Sequence, residues 1–528
     1  MTSERKRVRE RARKRERATT SSGECATTGL FHFDKTMSCS VLHHVEVCVK
    51  DEAILELLTH GFGFIHCARR VTHRASQWVL KSGGCVFVVT KRLDEEVVNG
   101  NGNGKEMNDG SRDGKKWNMD EERSHMNGFT REDEHWTVFC CQNSDSHAVD
   151  SVFNIALVVR NVDSVTERVR AMGGRILREP CDLANPQGKV RYAIVTSCCG
   201  NIVHTLIDKS HYNGDFLPGF EPVEHTRGNS DGNTTDTPNG YLEHTLENGH
   251  SKHSSNSEEL ARQHKEENEV DASQNLKLQL KGSPASPPLC THIDHVTYVC
   301  RAGESRQLLD WYEQCFGMKR FFANGVETEA DGFVLGGNIG LRLKAMEYWR
   351  CAETGLLSAP GASMQDSSLK LVIAEPLPDV STSHVETFLR AHGGPGVQHI
   401  GLHTPTMANT VAFMAGRGVV FRKPPPVYYE EGVKLNEIEE AGHGSELSMF
   451  RDLGILLDTE ADIFSEMEEQ EGKKKYLMQV FTGPIFKQDT FFLEVIQRCG
   501  ARGFGAGNIT ALAKSIILYN EQQQKLKT

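Results

Sequence analysis

Runs of alternating apolar and polar residues recur along this chain, and their order repeats. CSVLHHVEVCV, beginning at Cys39, has the period-two pattern of a half-buried strand; Asp51 to His60 reads as a helix, and GGCVFVVTKRL returns to strand. The same order follows in VFNIALVV, a helix around Val162 to Met172, and the strands KVRYAIV and NIVHTLID. It then starts again, since CTHIDHVTYVC has the shape of CSVLHHVEVCV and GVQHIGLHT that of SVFNIALVV. A late strand around Glu494 answers to the one that holds Thr205. Self-similarity of this kind predicts a duplicated α+β architecture, four strand-helix-strands units in two halves. A C-terminal helix from Ile509 through about Gln524, capped by Asn508, completes the pattern.

Three stretches break the alternation and divide the chain. Residues 1–38 form a basic tail, with Arg and Lys dominating positions 5 to 17 and Glu4, Glu10 and Glu16 interrupting them. It reads either as a solvated disordered segment or as a mitochondrial targeting segment. Residues 39–222 are then the first half, interrupted at 92–146 by an Asn-, Gly-, Asp- and Glu-rich insertion; residues 223–288 form a polar linker, and 289–528 the second half.

Composition narrows the function classes. A net charge of -11 with a pI near 6.1 lacks the basic surplus that nucleic acid or an anionic membrane would attract. No apolar run approaches the roughly 20 residues that cross a bilayer, and no signal-peptide core precedes the fold. The fifteen cysteines form no CxxC pair, so neither a disulfide framework nor a zinc knuckle is expected, and a reducing compartment fits.

The chemistry concentrates near the C-terminus. Glu494 sits in an apolar run between Phe491, Phe492 and Leu493 on one side and Val495 and Ile496 on the other. A buried carboxylate needs a cation, a metal or a proton to compensate its charge. His295 in THIDHVTYV and His399 in GVQHIGLHT are the candidate partners, each set among Val and Ile. Either histidine alone reads more readily as a hydrogen-bonded structural residue than as a ligand. Two histidines with one carboxylate, however, are the donor set that holds Fe(II) on one face and leaves the other positions open; structural zinc prefers closed Cys/His sets. In the repeat register His295 lies opposite His44, His399 opposite Asn154 and Glu494 opposite Thr205. The first half keeps one donor of three, which directs the metal to the second half. GFGAGN lacks the strand, turn, helix and following acid of a dinucleotide-binding loop.

The blocks GVQHIGL, YLMQVFTGP, FFLEVIQR and GFGAGN, joined in the first half by MGGRILREP, GKVRYAIV and DFLPGF, resemble the 4-hydroxyphenylpyruvate dioxygenase and hydroxymandelate synthase family. HGGPGVQHIGLHTP, DTFFLEVIQR and Ile509 after GN are most similar to its dioxygenase-like members. The resemblance implies a vicinal oxygen chelate fold of four βαβββ modules in two open-barrel halves, with Fe(II) held by His295, His399 and Glu494. It further implies dioxygen and an aryl 2-oxo acid as substrates, and a C-terminal helix that closes the site. By the same resemblance Phe492 and Phe504 pack the substrate ring, while Gln398, Gln479 and Asn508 orient substrate or metal ligands. Ile509 stands where the dioxygenases carry Phe and the synthases an aliphatic residue. This implies benzylic hydroxylation of 4-hydroxyphenylpyruvate to 4-hydroxymandelate, with homogentisate formation as the alternative and a weakly active metal-binding protein as the second. A glyoxalase-type isomerase or lyase on the same fold is disfavoured by the 2-oxo-acid blocks. Where the dioxygenases place a Ser, an Asn and a Gln, this chain has Leu341, Ala374 and Glu386. A homodimer joined through the first half and a mitochondrial location, with the cytoplasm as alternative, complete the expectations.

Overall fold

The computed structural model describes residues 41–72, 75–93, 149–223, 289–322, 327–336, 339–347, 369–378, 383–460 and 475–525. The tail 1–38 and, apart from their first residues, the insertion 92–146 and linker 223–288 lie outside the described residues.

The alternating runs pair into two curled mixed sheets with the same internal order. In the first, β1 (Val41–Val49), α1 (Ala53–Glu56), β2 (Ile65–Val71), β3 (Ala75–Ser82) and β4 (Cys85–Arg92) make one βαβββ module. A second follows as β5 (Ser151–Val158), α2 (Val162–Ala171), β6 (Ile176–Asn185), β7 (Gly188–Thr196) and β8 (Val203–Tyr212), and a short β9 (Glu221–Pro222) closes the edge. The strand order is β6-β7-β8-β5-β1-β4-β3-β2-β9. The helix expected over Asp51 to His60 is α1 continued by a π-turn at Leu57–Gly61.

The second sheet repeats this plan. Its first module is β10 (His292–Val299), α3 (Ser305–Phe316), β11 (Lys319–Phe321), β12 (Phe333–Leu335), β13 (Leu341–Glu347) and β14 (Lys370–Pro376). After α4 (His384–His392) come β15 (Gly396–His403), α5 (Met407–Gly416), α6 (Leu435–Glu440), α7 (Leu447–Leu453), β16 (Leu456–Glu460), β17 (Lys475–Phe481) and β18 (Phe492–Cys499). The order β11-β13-β14-β10-β15-β18-β17-β16 matches that of the first sheet around its centre, and α8 (Ala506–Lys525) ends the described chain. This is the paired βαβββ arrangement of the vicinal oxygen chelate fold.

Period-two alternation explains where the core and the site lie, because successive side chains leave a strand on opposite faces. Val45 and Val47 of β1, Ile155 of β5, and Val296 and Tyr298 of β10 join one buried cluster to which both sheets contribute. The alternate residues His295, Thr297 and Val299 occupy the other face of β10. Register shifts modify this rule at two places that matter. On β10, Ile293 pairs with Leu402 and His295 with Gly401, so Asp294 is the extra residue of a bulge; on β15, Gln398 is the extra residue between the pairs Thr297/His399 and Tyr298/Val397. Bulges re-aim side chains. They let the neighbours Asp294 and His295, and likewise Gln398 and His399, serve the same region.

The C-terminal helix departs from expectation in one respect. It begins at Ala506, ahead of Asn508, which therefore lies inside its first turn and does not cap it. The backbone N–H of Gly507 donates instead to Asp458 Oδ2 on β16, at 2.9 Å. A carboxylate at a helix N-terminus satisfies an otherwise unpaired donor and complements the helix dipole.

Candidate metal centre

Three neighbouring strands, β10, β15 and β18, bring His295, His399 and Glu494 together. Parallel pairing of β15 with β18 sets Gly401 beside Glu494 and His399 beside Phe492, and antiparallel pairing of β10 with β15 sets His295 beside Gly401. The nearest donor atoms form a small triangle. His295 Nε2 lies 3.4 Å from His399 Nε2 and 3.3 Å from Glu494 Oε2, and His399 Nε2 lies 3.5 Å from the same oxygen. Donors about 2.1 Å from one cation are separated by about 3.0 Å at right angles and about 3.4 Å at tetrahedral angles. The triangle fits a cation held from one side. Among the described residues this is the one group of three or more His, Cys, Asp or Glu donors close enough to share a metal.

The environment orients each donor. His295 Nδ1 lies 2.8 Å from Asp294 Oδ1, and Asp294 is itself gripped by Arg498 through Nε and Nη2, both at 2.7 Å. Burial opposes the charge of Asp294, but the Arg498 guanidinium and the His295 ring hold its carboxyl well below the ordinary range. An acceptor fixed at Nδ1 places the ring proton there and turns the Nε2 lone pair toward the triangle. Burial works against a charged His295 as well, yet Glu494 and Asp294 raise it to about 9. Burial and the neighbouring His295 push His399 well below the usual imidazole value. One histidine thus favours the cationic form and the other the neutral form, an asymmetry that a shared metal would replace.

Behind Glu494 runs a chain of hydrogen bonds into α8. Gln479 Nε2 donates to Glu494 Oε1 at 2.8 Å, Asn508 Nδ2 donates to Gln479 Oε1 at 2.8 Å, and the Tyr428 hydroxyl donates to Asn508 Oδ1 at 2.7 Å. The same helix end approaches Gln479 so closely that a side chain at Gly505 would collide with it. A Cβ there would stand 1.7 Å from Gln479 Oε1, and its φ of +68° already favours glycine. Aromatic rings flank the histidines. Phe492 stacks on His399 with centroids 4.8 Å apart, and Phe504 meets His295 edge-on at 5.4 Å.

All three donors border a cavity of 910 Å³ that also touches Gln398, Gln479, Phe492, Phe504 and Ile509. Asn508 stands behind Gln479, bonded to it and to Tyr428. Of the three positions where polar residues are replaced, Leu341 and Ala374 line the cavity, whereas the lining passes from His384 to Thr387 without Glu386. His384 is exposed and borders the cavity, and His392 stacks on Phe388 at 4.9 Å. The Asp294–Arg498 pair and Tyr428 escaped the sequence reading. The signal for the first was available, since two adjacent polar residues, Asp294 and His295, interrupt an alternating strand.

The corresponding place in the first half is filled rather than open. Glu46 there accepts from Thr90 Oγ1 at 2.5 Å, Gln77 Nε2 at 2.8 Å and Asn154 Nδ2 at 2.9 Å, and Asn154 Nδ2 also donates to Thr205 Oγ1 at 2.8 Å. Burial raises the Glu46 carboxyl. His44 lies instead against His43 and Phe216, with ring centroids 5.0 and 5.3 Å away, and burial pushes its imidazole down to about 3.

No family model matches the chain. Among curated proteins, the human 4-hydroxyphenylpyruvate dioxygenase-like protein is 32% identical over 388 residues, covering 72% of this chain and 80% of the human one. A 4-hydroxyphenylpyruvate dioxygenase of Neurospora crassa is 28% identical over 380 residues, 71% of each chain. Among solved structures, a mutant 4-hydroxymandelate synthase from Streptomyces coelicolor superposes with a TM-score of 0.55 over 90% of this chain and 98% of its own, at 20% identity. That likeness establishes the shared fold.

Proposed function

The chain belongs to the 4-hydroxyphenylpyruvate dioxygenase family, and on that premise we propose that it is a non-haem iron oxygenase acting on an aryl 2-oxo acid. The observation that carries the proposal is the triangle of His295 Nε2, His399 Nε2 and Glu494 Oε2, with edges of 3.3 to 3.5 Å, at the wall of a cavity of 910 Å³. These three side chains would hold iron. Iron bound there would supply oxygen activation coupled to decarboxylation of the acid.

The rest of the work falls to the chain itself. Asp294 and Arg498 fix His295, and Gln479 with Asn508 fixes Glu494, so the donors stay in place through a turnover. Phe492 and Phe504 exclude water from the histidine rings and offer flat faces to an aryl group. An acid that carries its own aryl arm presents both reacting parts at once, and binding then serves as orientation.

For 4-hydroxyphenylpyruvate the balanced reaction takes up one dioxygen and releases one carbon dioxide. One oxygen atom enters the new carboxylate, and the other enters the benzylic C–H bond to give 4-hydroxymandelate. The aliphatic Ile509 on the cavity wall favours this outcome over ring attack. The test is anaerobic loading of the full chain with Fe(II), then 4-hydroxyphenylpyruvate and oxygen, with products separated by chromatography. Homogentisate and 4-hydroxymandelate are isomers, so retention rather than mass separates them. Consumption of neither substrate would refute the oxygenase reading, and homogentisate as the main product would refute the benzylic one.

A homodimer joined through the first half, whose repeat-equivalent site is filled, and a mitochondrial location belong to the same proposal. Sedimentation as a monomer at micromolar concentration would refute the dimer. Failure of a fluorescent fusion to enter mitochondria would refute the location.

A further inference from the structure

Thr297 is buried to 1% exposure, borders the cavity, and its Oγ1 has no hydrogen-bond partner. Valine would fill the same space on a strand at no polar cost, whereas a buried hydroxyl left unpaired loses its water and gains nothing in return. The two halves of the chain show what is missing. Strand register places Thr297 opposite His399 and beside Val372, as it places Glu46 opposite Asn154 and beside Val88. Glu46 is satisfied by Thr90 and Gln77 as well as by Asn154. The registers continue to Ala374 at the position of Thr90 and to Leu343 at that of Gln77, and both of these line the open cavity. Apolar groups have replaced the internal partners, and the space they vacate is the substrate cavity.

We propose that the Thr297 hydroxyl is a substrate-binding group that hydrogen-bonds the 2-oxo acid end of the bound acid, an inference that rests on the oxygenase reading above. Thr297 lies two residues from His295 on one strand and across from His399, beside the candidate metal donors. Beyond it the wall turns apolar through Ala374, Leu341, Leu343 and Phe388. The polar end of a ligand is therefore met at Thr297 and its aryl arm runs along the apolar wall.

The test uses the full-length protein loaded with Fe(II) under anaerobic conditions, titrated calorimetrically with phenylpyruvate and with 4-hydroxyphenylpyruvate. Thr297→Val is expected to bind both acids about tenfold more weakly and to the same extent, with iron content unchanged. Thr297→Ser, which keeps the hydroxyl, is expected to stay within about threefold of wild type. Unchanged affinity in Thr297→Val, a loss confined to the ring-hydroxylated acid, or loss of iron from that variant would each overturn the proposal. So would a serine variant as weak as the valine one. Threonine-dependent binding without any oxidised product would sink the oxygenase reading and leave this inference standing; wild-type protein that binds neither acid would sink both.

Discussion

Gly401 faces His295 across the β10–β15 pair with so little room that a methyl group on its α-carbon would stand 2.3 Å from His295 Cε1 and 2.5 Å from Nδ1. The imidazole occupies the volume where a side chain would be. In the first half the same register position is Ala156, opposite His44, and that histidine lies against Phe216. The position that is glycine beside His295 thus carries a methyl group beside His44.

Gly401→Ala should therefore displace the His295 ring and weaken iron binding by roughly 10- to 100-fold, as loss of a metal ligand's support does. Iron titration of the variant followed by its absorption spectrum checks this. The fold should survive, because the substitution adds a methyl group to a β-strand. Full iron affinity in Gly401→Ala would show that His295 moves freely and is not held by packing.

His399→Ala and Glu494→Gln should each abolish stoichiometric iron in purified protein, while His44→Ala should retain it. The contrast separates the donor set from a buried histidine of the same repeat position. Metal analysis of the three variants decides it, and undiminished iron in His399→Ala would remove the proposed centre.

His204 should make stability fall as the solution is acidified. Its Nδ1 lies 2.9 Å from the Ile155 carbonyl and its Nε2 3.0 Å from the Tyr312 hydroxyl, so the neutral ring donates at the first and accepts at the second. Burial pushes it down from 6.5 to about 4. A depressed histidine stays neutral in the fold while the unfolded chain takes up a proton. Its stabilising effect is complete above about pH 6.5 and is lost as the pH falls toward 4, to a total on the order of 3 kcal/mol. Melting curves of wild type and His204→Gln between pH 7 and 4 check the slope. The variant should be less stable at pH 7 but less sensitive to acid; parallel slopes would contradict the assignment.

The parts of this fold that the sequence made legible are those where one polar residue interrupts an apolar strand. His295, His399 and Glu494 could be read in this way, as could the repeat that aligns them with His44, Asn154 and Thr205. The bulges at Asp294 and Gln398 were hidden, because a register shift is a property of two strands. The start of α8 was misplaced for a similar reason. Asn508 has the chemistry of a cap, but the Gly507 N–H is served by Asp458, 49 residues earlier, which leaves Asn508 to bond Gln479. The resemblance sets Glu386 where the dioxygenases carry a Gln, whereas the cavity lining includes Thr387 of the same helix.

On the function proposed above, product choice should respond to a single wall residue, Ile509, which lines the cavity. Ile509 lies in the first turn of α8 and packs with the apolar cluster of Leu341, Ala374 and Phe388 beside the cavity. A phenylalanine there would add a flat face against an aryl substrate, a contact of about 0.5 to 1.5 kcal/mol. Benzylic hydroxylation and ring attack start from the same bound acid, so their ratio depends on the difference between two barriers. A shift of about 1.4 kcal/mol in that difference changes the ratio about tenfold. On the benzylic reading proposed above, the aliphatic side chain would leave the ring freer to withdraw from the reacting centre and so expose the benzylic carbon. Ile509→Phe should move the product ratio toward homogentisate by up to about tenfold, with iron content unchanged because neither side chain carries a metal-donor atom. Chromatographic separation of the two isomers after single-turnover reactions gives the ratio directly. An unaltered ratio in Ile509→Phe would assign the isoleucine to packing of α8 and move the determinant of product choice elsewhere in the cavity wall.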